Sequence, residues 1–394
     1  MKKTKIAGDF IYTFSALLLV NVVLQVIIYP IINKLYSSEI LGEVVYYTGI
    51  IYTISASMGG AVSNQKLLLR GKYRQTNSDF NIIVAGVCAI IFIVLIIISV
   101  FSKLGVISAI LYSISGCLVF LRYFAEVEFR ITKKFKGYLF YYILVSIGYL
   151  IGLGVFIATG LWYFIFIIGE SMAIVYVIVR GHVFNPQPLT GDIKNITKLV
   201  AVLSVSYLLG ALAAHYYKIF INLYFEGDSV TVYYVSSFFG KSLDLVITPI
   251  TTLMISYLSG KSQFFKNLSI KKAVLFSCVS GIVLYIAFVV LTPIYCSILY
   301  PNLYESVFSL NFIVNIAQTF SVISSILIVL ILIKYGTKSH FVIQLLFVIS
   351  YIAFSSILSM VWGMTGFAIG ATIGFAIKCV LILFIAVKGE TKNA

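Results

Sequence analysis

The stretch NIIVAGVCAIIFIVLIIISVF, residues 81–101, has 21 residues and no charged side chain. A helix of that length rises about 32 Å, which matches the roughly 30 Å hydrocarbon core of a bilayer. In hydrocarbon every backbone N–H and C=O must bond within the protein, so a run this long and this apolar is typical of a membrane-spanning helix. The stretch therefore predicts an integral membrane protein.

Eleven similar runs flank this stretch, separated by short polar or glycine-rich segments. Six spans fall in each half of the chain, and we predict an all-α integral membrane protein of about twelve helices. The predicted spans are 10–36, 40–64, 81–101, 104–124, 138–158, 161–180, 198–224, 230–258, 272–293, 306–333, 341–361 and 363–387.

Composition supports the same class. The 394 residues are 61% hydrophobic and 10% charged, with a mean hydropathy of +1.07, whereas soluble domains are roughly 45–50% apolar and about 25% charged. Twelve spans with short connections leave no room for a soluble catalytic domain. The five cysteines are scattered singly without a C-x-x-C pair, so neither a disulfide framework nor a metal site is predicted, and no cofactor is expected.

The net charge is +15, but the basic residues lie in short clusters between the spans, where they determine membrane orientation. This distribution argues against nucleic-acid binding. Most Lys and Arg residues fall in the amino-terminal segment and in alternate connections, whereas the opposite connections hold only Lys34 and Lys103 together with four acids. Because positive residues stay on the cytoplasmic side of a membrane, we expect both termini in the cytoplasm. The basic start MKKTKIAGD is interpreted as part of a retained first helix.

The two halves of the chain resemble each other. The sequence LYSSEILGEVVYY (35–47) after the first span matches LYFEGDSVTVYY (223–234) after the seventh, and a polar stretch with two prolines separates the halves. We therefore predict an amino-terminal six-helix lobe (1–184), a cytoplasmic linker (185–197) and a carboxy-terminal six-helix lobe (198–394). Parallel repeats of this kind place a substrate path in a central cavity between pseudo-symmetric lobes.

Four stretches carry a resemblance to a known family. They are YPIINKLYSSEILGEVVYY (29–47), VYYVSSFFGKSLDLVITPITTLMISYLSG (232–260), SILYPNLYESVFSL (297–310) and WGMTGFAIGATIGF (362–375). The chain resembles the multidrug/oligosaccharidyl-lipid/polysaccharide (MOP) exporter superfamily, specifically its Wzx-type polysaccharide repeat-unit flippases. The twelve predicted spans are two fewer than those of the related lipid II flippases, so a peptidoglycan precursor is not the expected cargo.

The resemblance implies a protein of the bacterial inner membrane that opens alternately to each side. Its cargo is expected to be undecaprenyl-diphosphate-linked oligosaccharide, moved to the outer leaflet for O-antigen, capsule, exopolysaccharide or lipopolysaccharide synthesis. Membrane lipids are the other expected partners. The resemblance also allows a polysaccharide polymerase and a chain-length regulator as protein partners.

Charged side chains inside spans are candidate functional residues, because a charge near the bilayer centre costs a few kcal/mol unless it faces a cavity or a partner. Lys241 lies about 16 Å into the eighth span at 1.5 Å per residue. Asp244 follows one turn later, so Lys241 is either its ion-pair partner or a cationic wall of a cavity. We expect Lys378, midway along the last span, to face a cavity. Glu170 is the isolated acid of the sixth span.

Other polar residues in spans have two interpretations each. Lys218 either lines the lumen or extends its amine to the interface. Arg122 either fixes the cytoplasmic end of the fourth span or guides the diphosphate of the cargo as it enters from the inner leaflet. A polar stripe in the tenth span either binds sugar hydroxyls or bonds a neighbouring helix; its members are Asn311, Asn315 and Gln318.

Two rival functions remain. A multidrug or cation antiporter of the same superfamily would use Glu170 or Asp244 as the ion-coupling acid. A membrane polymerase or glycosyltransferase would need acids or arginines ordered in a large outer loop, and the predicted outer connections are short. A diphosphate cargo favours a lumen that contains lysines, whereas a cation exporter would need an acid-lined one. The sequence therefore favours the flippase over the antiporter, and the short outer connections favour a transporter over an enzyme.

Overall fold

The computed structural model describes residues 2–36, 38–70, 74–225, 227–258, 270–299 and 304–391. In these ranges the secondary structure is helical, with no β-strand element. The α-helices are α1 Lys2–Val22, α2 Tyr29–Leu35, α3 Ser38–Ile51, α4 Ser57–Leu69, α5 Asn77–Phe101, α6 Val106–Ala125, α7 Val127–Thr132, α8 Phe135–Thr159, α9 Tyr163–Arg180, α10 Ile193–Tyr224, α11 Gly227–Ser236, α12 Phe238–Ser242, α13 Asp244–Leu258, α14 Ile270–Leu299 and α15 Tyr304–Thr391.

The helices of the described ranges make twelve passes. The long helix α15 contributes three of them, because its backbone leaves helical geometry at Gly336 and again at Trp362 and Gly363. Both glycines have positive φ (83° and 59°), a conformation that disfavours side-chain-bearing residues and ends a helix. Eight helices of the described chain are long and apolar enough to cross a membrane, α15 among them. The predicted all-α membrane fold of about twelve spans is confirmed.

Three passes are interrupted where the sequence predicted continuous helices. A π-helical turn, Val23–Ile28, joins α1 to α2, and a second, Tyr52–Ala56, joins α3 to α4. The first precedes Pro30, whose ring crowds the preceding turn and whose nitrogen cannot donate, so a widened turn accommodates it. The eighth pass is broken into α11, α12 and α13 at Ser237 and Leu243.

The chain folds as two compact units that divide near residue 208, within α10. The short stretch that begins at Ile255 belongs to the first unit. In unit 1, α6 packs against α4, α5 and α9, and α8 packs against α1 and α9. In unit 2, α15 packs against α11 and α14 around an aromatic core that includes Tyr233, Tyr351 and Phe367. The predicted division at 185–197 stays a prediction.

Connections predicted to lie on the same side of the membrane contact one another in unit 1. At one end, Asn77 Nδ2 donates to the His182 carbonyl at 2.7 Å, and Arg70 Nη1 donates to the Ile131 carbonyl at 3.0 Å. At the other end, the Tyr36 hydroxyl donates to the Phe156 carbonyl at 3.2 Å. This grouping agrees with the predicted alternation of connections. It leaves open which end faces the cytoplasm.

Candidate functional site

A buried ion pair joins α6 and α9 inside unit 1. Arg122 Nε contacts Glu170 Oε2, and the two side chains are 1% and 0% exposed. The sequence left Glu170 isolated in its span, and its partner is the arginine near the end of α6. Each charge is matched by the other, which is how charged groups are tolerated in an apolar interior.

Tyrosine hydroxyls extend this pair toward the second pass. The Tyr149 hydroxyl donates to Glu170 Oε1 at 2.5 Å. It also hydrogen-bonds the Tyr52 hydroxyl at 3.2 Å, and Tyr52 begins the π-helical turn between α3 and α4. The carboxylate of Glu170 is therefore linked through two hydroxyls to an irregular turn of backbone.

A second buried pair continues the network on the other side of Arg122. Arg122 Nη1 donates to the Tyr142 hydroxyl at 3.0 Å, and that hydroxyl donates to Glu126 Oε2 at 2.9 Å. Glu126 Oε1 in turn accepts from Arg130 Nη1 at 3.4 Å. Two arginines and two glutamates thus balance in charge along a chain of hydrogen bonds.

The network ends at α4 and α10. Arg130 Nη2 donates to Asn64 Oδ1 at 2.5 Å, and Asn64 Nδ2 donates to the Tyr207 hydroxyl at 2.7 Å. Sequence reasoning missed Glu126, Tyr142 and Tyr149, and it counted Arg130 as a topology signal. The clustering of tyrosines in YLFYY (138–142) was the one signal that an interior polar face was present.

Lys241 lies in α12, the short helix between the two breaks of the eighth pass. Its Nζ is 3.4 Å from the centroid of the Tyr217 ring and 5.6 Å from that of Tyr233. Two aromatic faces stabilise an ammonium by cation–π attraction where water is scarce. The mid-span position predicted from the sequence therefore coincides with an irregular, aromatic-lined stretch of helix.

Lys378 lies in the last pass and is 6% exposed. Its Nζ is 4.7 Å from the centroid of the Phe347 ring, on the preceding pass. Its neighbourhood also contains the buried His340, with which it interacts electrostatically. Lys378 is thus a buried cation of unit 2, and whether it faces a transport path stays a prediction.

The polar stripe of the tenth pass contacts α14. Asn311 Nδ2 donates to the Val289 carbonyl at 2.9 Å, and Asn315 Nδ2 reaches Thr292 Oγ1 at 3.4 Å. All three stripe residues are buried, and Gln318 packs against Gly240. The stripe therefore bonds a neighbouring helix, which is one of the two roles predicted for it. A role in sugar binding stays a prediction.

Two candidates fall on side chains outside the described part of the structure. They are Lys218, in α10, and Asp244, at the start of α13. The ion pair between Asp244 and Lys241 therefore stays a prediction.

Comparison with solved structures identifies the fold. The Vibrio cholerae MATE transporter VcmN in its bent form superposes with a TM-score of 0.72 and 15% identity over 98% of this chain and 96% of that one. A multidrug resistance MATE family transporter of the MOP superfamily, in an outward-facing conformation, gives 0.72 and 14% over 99% and 95%. The MATE transporter ClbM in complex with Rb⁺ gives 0.69 and 12% over 99% and 97%. The chain has the MATE transporter fold.

At these identities the comparison establishes the fold alone. No protein-family model and no curated protein sequence matches the chain. Its activity therefore has to be argued from its own residues.

Two of the three interrupted passes have an irregular turn at matching places in the two halves of the chain. When the pair Tyr46–Tyr47 is aligned with Tyr233–Tyr234, the π-helical turn Tyr52–Ala56 falls opposite residues 239–243. Those residues include Lys241 and the break at Leu243. Interrupted helices at corresponding positions of two repeats are the best structural pointer to a transporter's binding site. The second and eighth passes therefore contain the candidate ligand site.

Proposed function

We propose that this protein is a transporter that moves undecaprenyl-diphosphate-linked oligosaccharides from the cytoplasmic to the outer leaflet by alternating access. The fold supports the transporter class, because it matches MATE transporters over nearly the full length of both chains. The matching helix interruptions of the second and eighth passes supply irregular backbone of the kind that lines substrate sites.

The sign of the buried charge in unit 2 is the observation that favours this cargo. Its described interior holds Lys241 at the interrupted helix and the buried Lys378, while Glu305, the acid of unit 2 whose side chain is described, is exposed. In unit 1 the buried arginines and glutamates balance. A lysine ammonium in a low-dielectric region lowers the cost of moving a diphosphate past it. Lysine, a flexible point charge, suits cargo that must be released.

The test is deletion of the gene in its own host, with complementation by the intact gene. We expect single lipid-linked repeat units to accumulate on the cytoplasmic side and surface polysaccharide to be lost. Units that reach the outer face but fail to lengthen would identify a polymerase instead. Unchanged surface polysaccharide would exclude the proposed cargo.

A second candidate is a multidrug or cation antiporter. One observation favours it: the structural neighbours include a multidrug resistance transporter and a protein solved with Rb⁺. In this alternative the buried Glu170 is the ion-coupling acid, reached through Tyr149 and Tyr52. Altered drug tolerance of the deletion strain with normal surface polysaccharide would support it.

A further inference from the structure

A basic cavity opens at one end of unit 1, where α1, α7, α8 and α9 meet. Its volume is about 580 Å³, within the range of small-molecule sites. Four cationic side chains line it: Lys133, Lys134, Lys136 and Arg180. None of these residues belongs to the buried network or to the helix interruptions described above.

The local fold brings the cations together. Lys133 adopts the left-handed conformation (φ 55°, ψ 34°), which ends α7 and turns the chain into α8. Lys134 then caps the start of α8, and Lys136 lies in its first turn. The amino-terminal end of this 25-residue helix carries the positive end of the helix dipole at the same place. Arg180, the last residue of α9, completes the rim.

The acids of the cavity offset part of this charge. Glu128 accepts the His182 backbone N–H at 3.1 Å, and Asp9 is buried beneath the rim. Four cations against two carboxylates leave the cavity net positive. Its rim accordingly suits an anion.

The walls of the cavity are aromatic. Phe129 stacks on Tyr176 with ring centroids 6.1 Å apart, and Phe135 and Tyr12 also line the space. Lys136 Nζ lies 5.8 Å from the Tyr12 ring centroid. A free phosphate would use the rim and leave these rings uncovered, whereas a phospholipid presents a phosphate to the cations and glycerol with the start of its acyl chains to the rings.

The position along the helices also fits a lipid. The predicted span of α8 begins at residue 138, directly after the rim lysines, and that of α9 ends at Arg180. The cavity therefore lies at the level of lipid phosphates rather than in water beyond them.

We propose that this cavity binds the phosphate headgroup of an anionic bilayer lipid, a site separate from the transport path. Bilayer lipid and free phosphate share the recognised chemistry, and binding to purified full-length protein distinguishes them. The probes are short-chain phosphatidylglycerol, phosphatidylcholine of the same chain length and inorganic diphosphate, each measured by native mass spectrometry in a neutral detergent.

The variants are matched pairs of exposed lysines at helix starts. K134Q/K136Q removes two rim cations at the start of α8, and K194Q/K198Q removes two exposed lysines at the start of α10, away from the cavity. We expect wild type and K194Q/K198Q to prefer phosphatidylglycerol over phosphatidylcholine. We expect K134Q/K136Q to bind phosphatidylglycerol about tenfold or more weakly, since each basic residue near a lipid surface adds appreciable attraction.

Three outcomes would overturn the proposal. They are equal binding of the two lipids by wild type, equal losses in the two double variants, or diphosphate binding that depends on the rim lysines without any lipid preference. Because no cargo is present in this assay, its result is independent of the proposed transport activity.

Discussion

The Arg122–Glu170 pair couples two helices through charges that have no access to water. Both groups lose hydration on folding, and their mutual attraction, the tyrosine hydrogen bonds and the Tyr123 ring 4.1 Å from the guanidinium compensate. A pair of this kind tolerates the loss of both partners better than the loss of one, because a single remaining charge stays buried without its counter-charge.

We therefore predict that E170Q lowers the free energy of unfolding by about 3 kcal/mol or more. Y149F removes the hydrogen bonds to Glu170 and Tyr52 but leaves the charges matched, so we expect it to cost about 2 kcal/mol. Unfolding of detergent-purified protein by a denaturing surfactant measures both. The double variant R122Q/E170Q should lose much less unfolding free energy than R122Q and E170Q lose in sum. If the two single losses instead add to the double loss, Arg122 and Glu170 do not interact.

Lys241 and Lys378 test the cationic-interior argument at the level of single side chains. We expect K241A and K378A to insert normally but to impair transport, and K241R to retain part of the activity because the charge is kept. Complementation of the deletion strain, with surface polysaccharide and protein amount measured together, gives the readout. K338A, which removes an exposed lysine of α15, is the control. Full activity of both variants at normal expression would contradict the prediction.

Helix contacts in unit 1 depend on glycines that permit close backbone approach. The tightest case is α8 against α9, where a side chain at Gly152 would place its Cβ 2.5 Å from Ile165 Cα and 2.6 Å from the Phe164 carbonyl oxygen. Gly148 and Gly152 form a G-x-x-x-G spacing, a known signal for close helix packing in membranes. The close approach of α8 and α9 could therefore have been predicted from the sequence.

We predict that G152A destabilises the protein by about 1–3 kcal/mol, because backbone atoms of α9 have to move. The matched control is G154A on the same helix, where a Cβ meets nothing within 4 Å. That substitution should be neutral or stabilising by up to about 1 kcal/mol, since alanine is the better helix former. Thermal unfolding of the two variants in parallel decides it, and equal midpoints would show that α8 and α9 do not need the close approach.

The positions of the helices could be predicted from sequence because hydrocarbon enforces them. Apolar runs of about 20 residues must satisfy their backbone internally, so the predicted spans 81–101 and 138–158 coincide closely with α5 and α8. The interruptions could not be predicted in the same way. The short helix α12 packs against α14 and α15, and a hydropathy window of about 19 residues averages over breaks only six residues apart.

The candidate site was predictable only in part, for a related reason. Depth along a span follows from residue spacing, which placed Lys241 near the middle of the eighth pass. Pairing between spans does not follow from spacing: Arg122 and Glu170 lie on α6 and α9, and no periodicity relates them. Glu126 and Arg130 lie between predicted spans, where charges are ordinarily solvated, so their burial required the tertiary structure.

At the scale of the whole molecule, the charge pattern makes a prediction about sidedness. In unit 1 the segments rich in Lys and Arg come together at one end, through contacts such as that of Asn77 with His182, and the opposite end carries Tyr36 against Phe156. Positive residues are retained in the cytoplasm, so the end that contains the 181–192 segment should face inward.

Two exposed threonines test this orientation with the same substitution. Thr159 ends α8 at the Tyr36 end and Thr197 lies in the first turns of α10, and each hydroxyl donates to the carbonyl four residues earlier at 2.8 Å. With the five native cysteines replaced by alanine, we expect T159C to react with a membrane-impermeant maleimide in intact spheroplasts. T197C should react only after permeabilisation, because it lies next to the basic segments. The reverse pattern would invert the topology. It would also place the basic cavity of unit 1 against the outer leaflet, so one labelling experiment fixes both the orientation of the protein and the leaflet from which the proposed lipid binds.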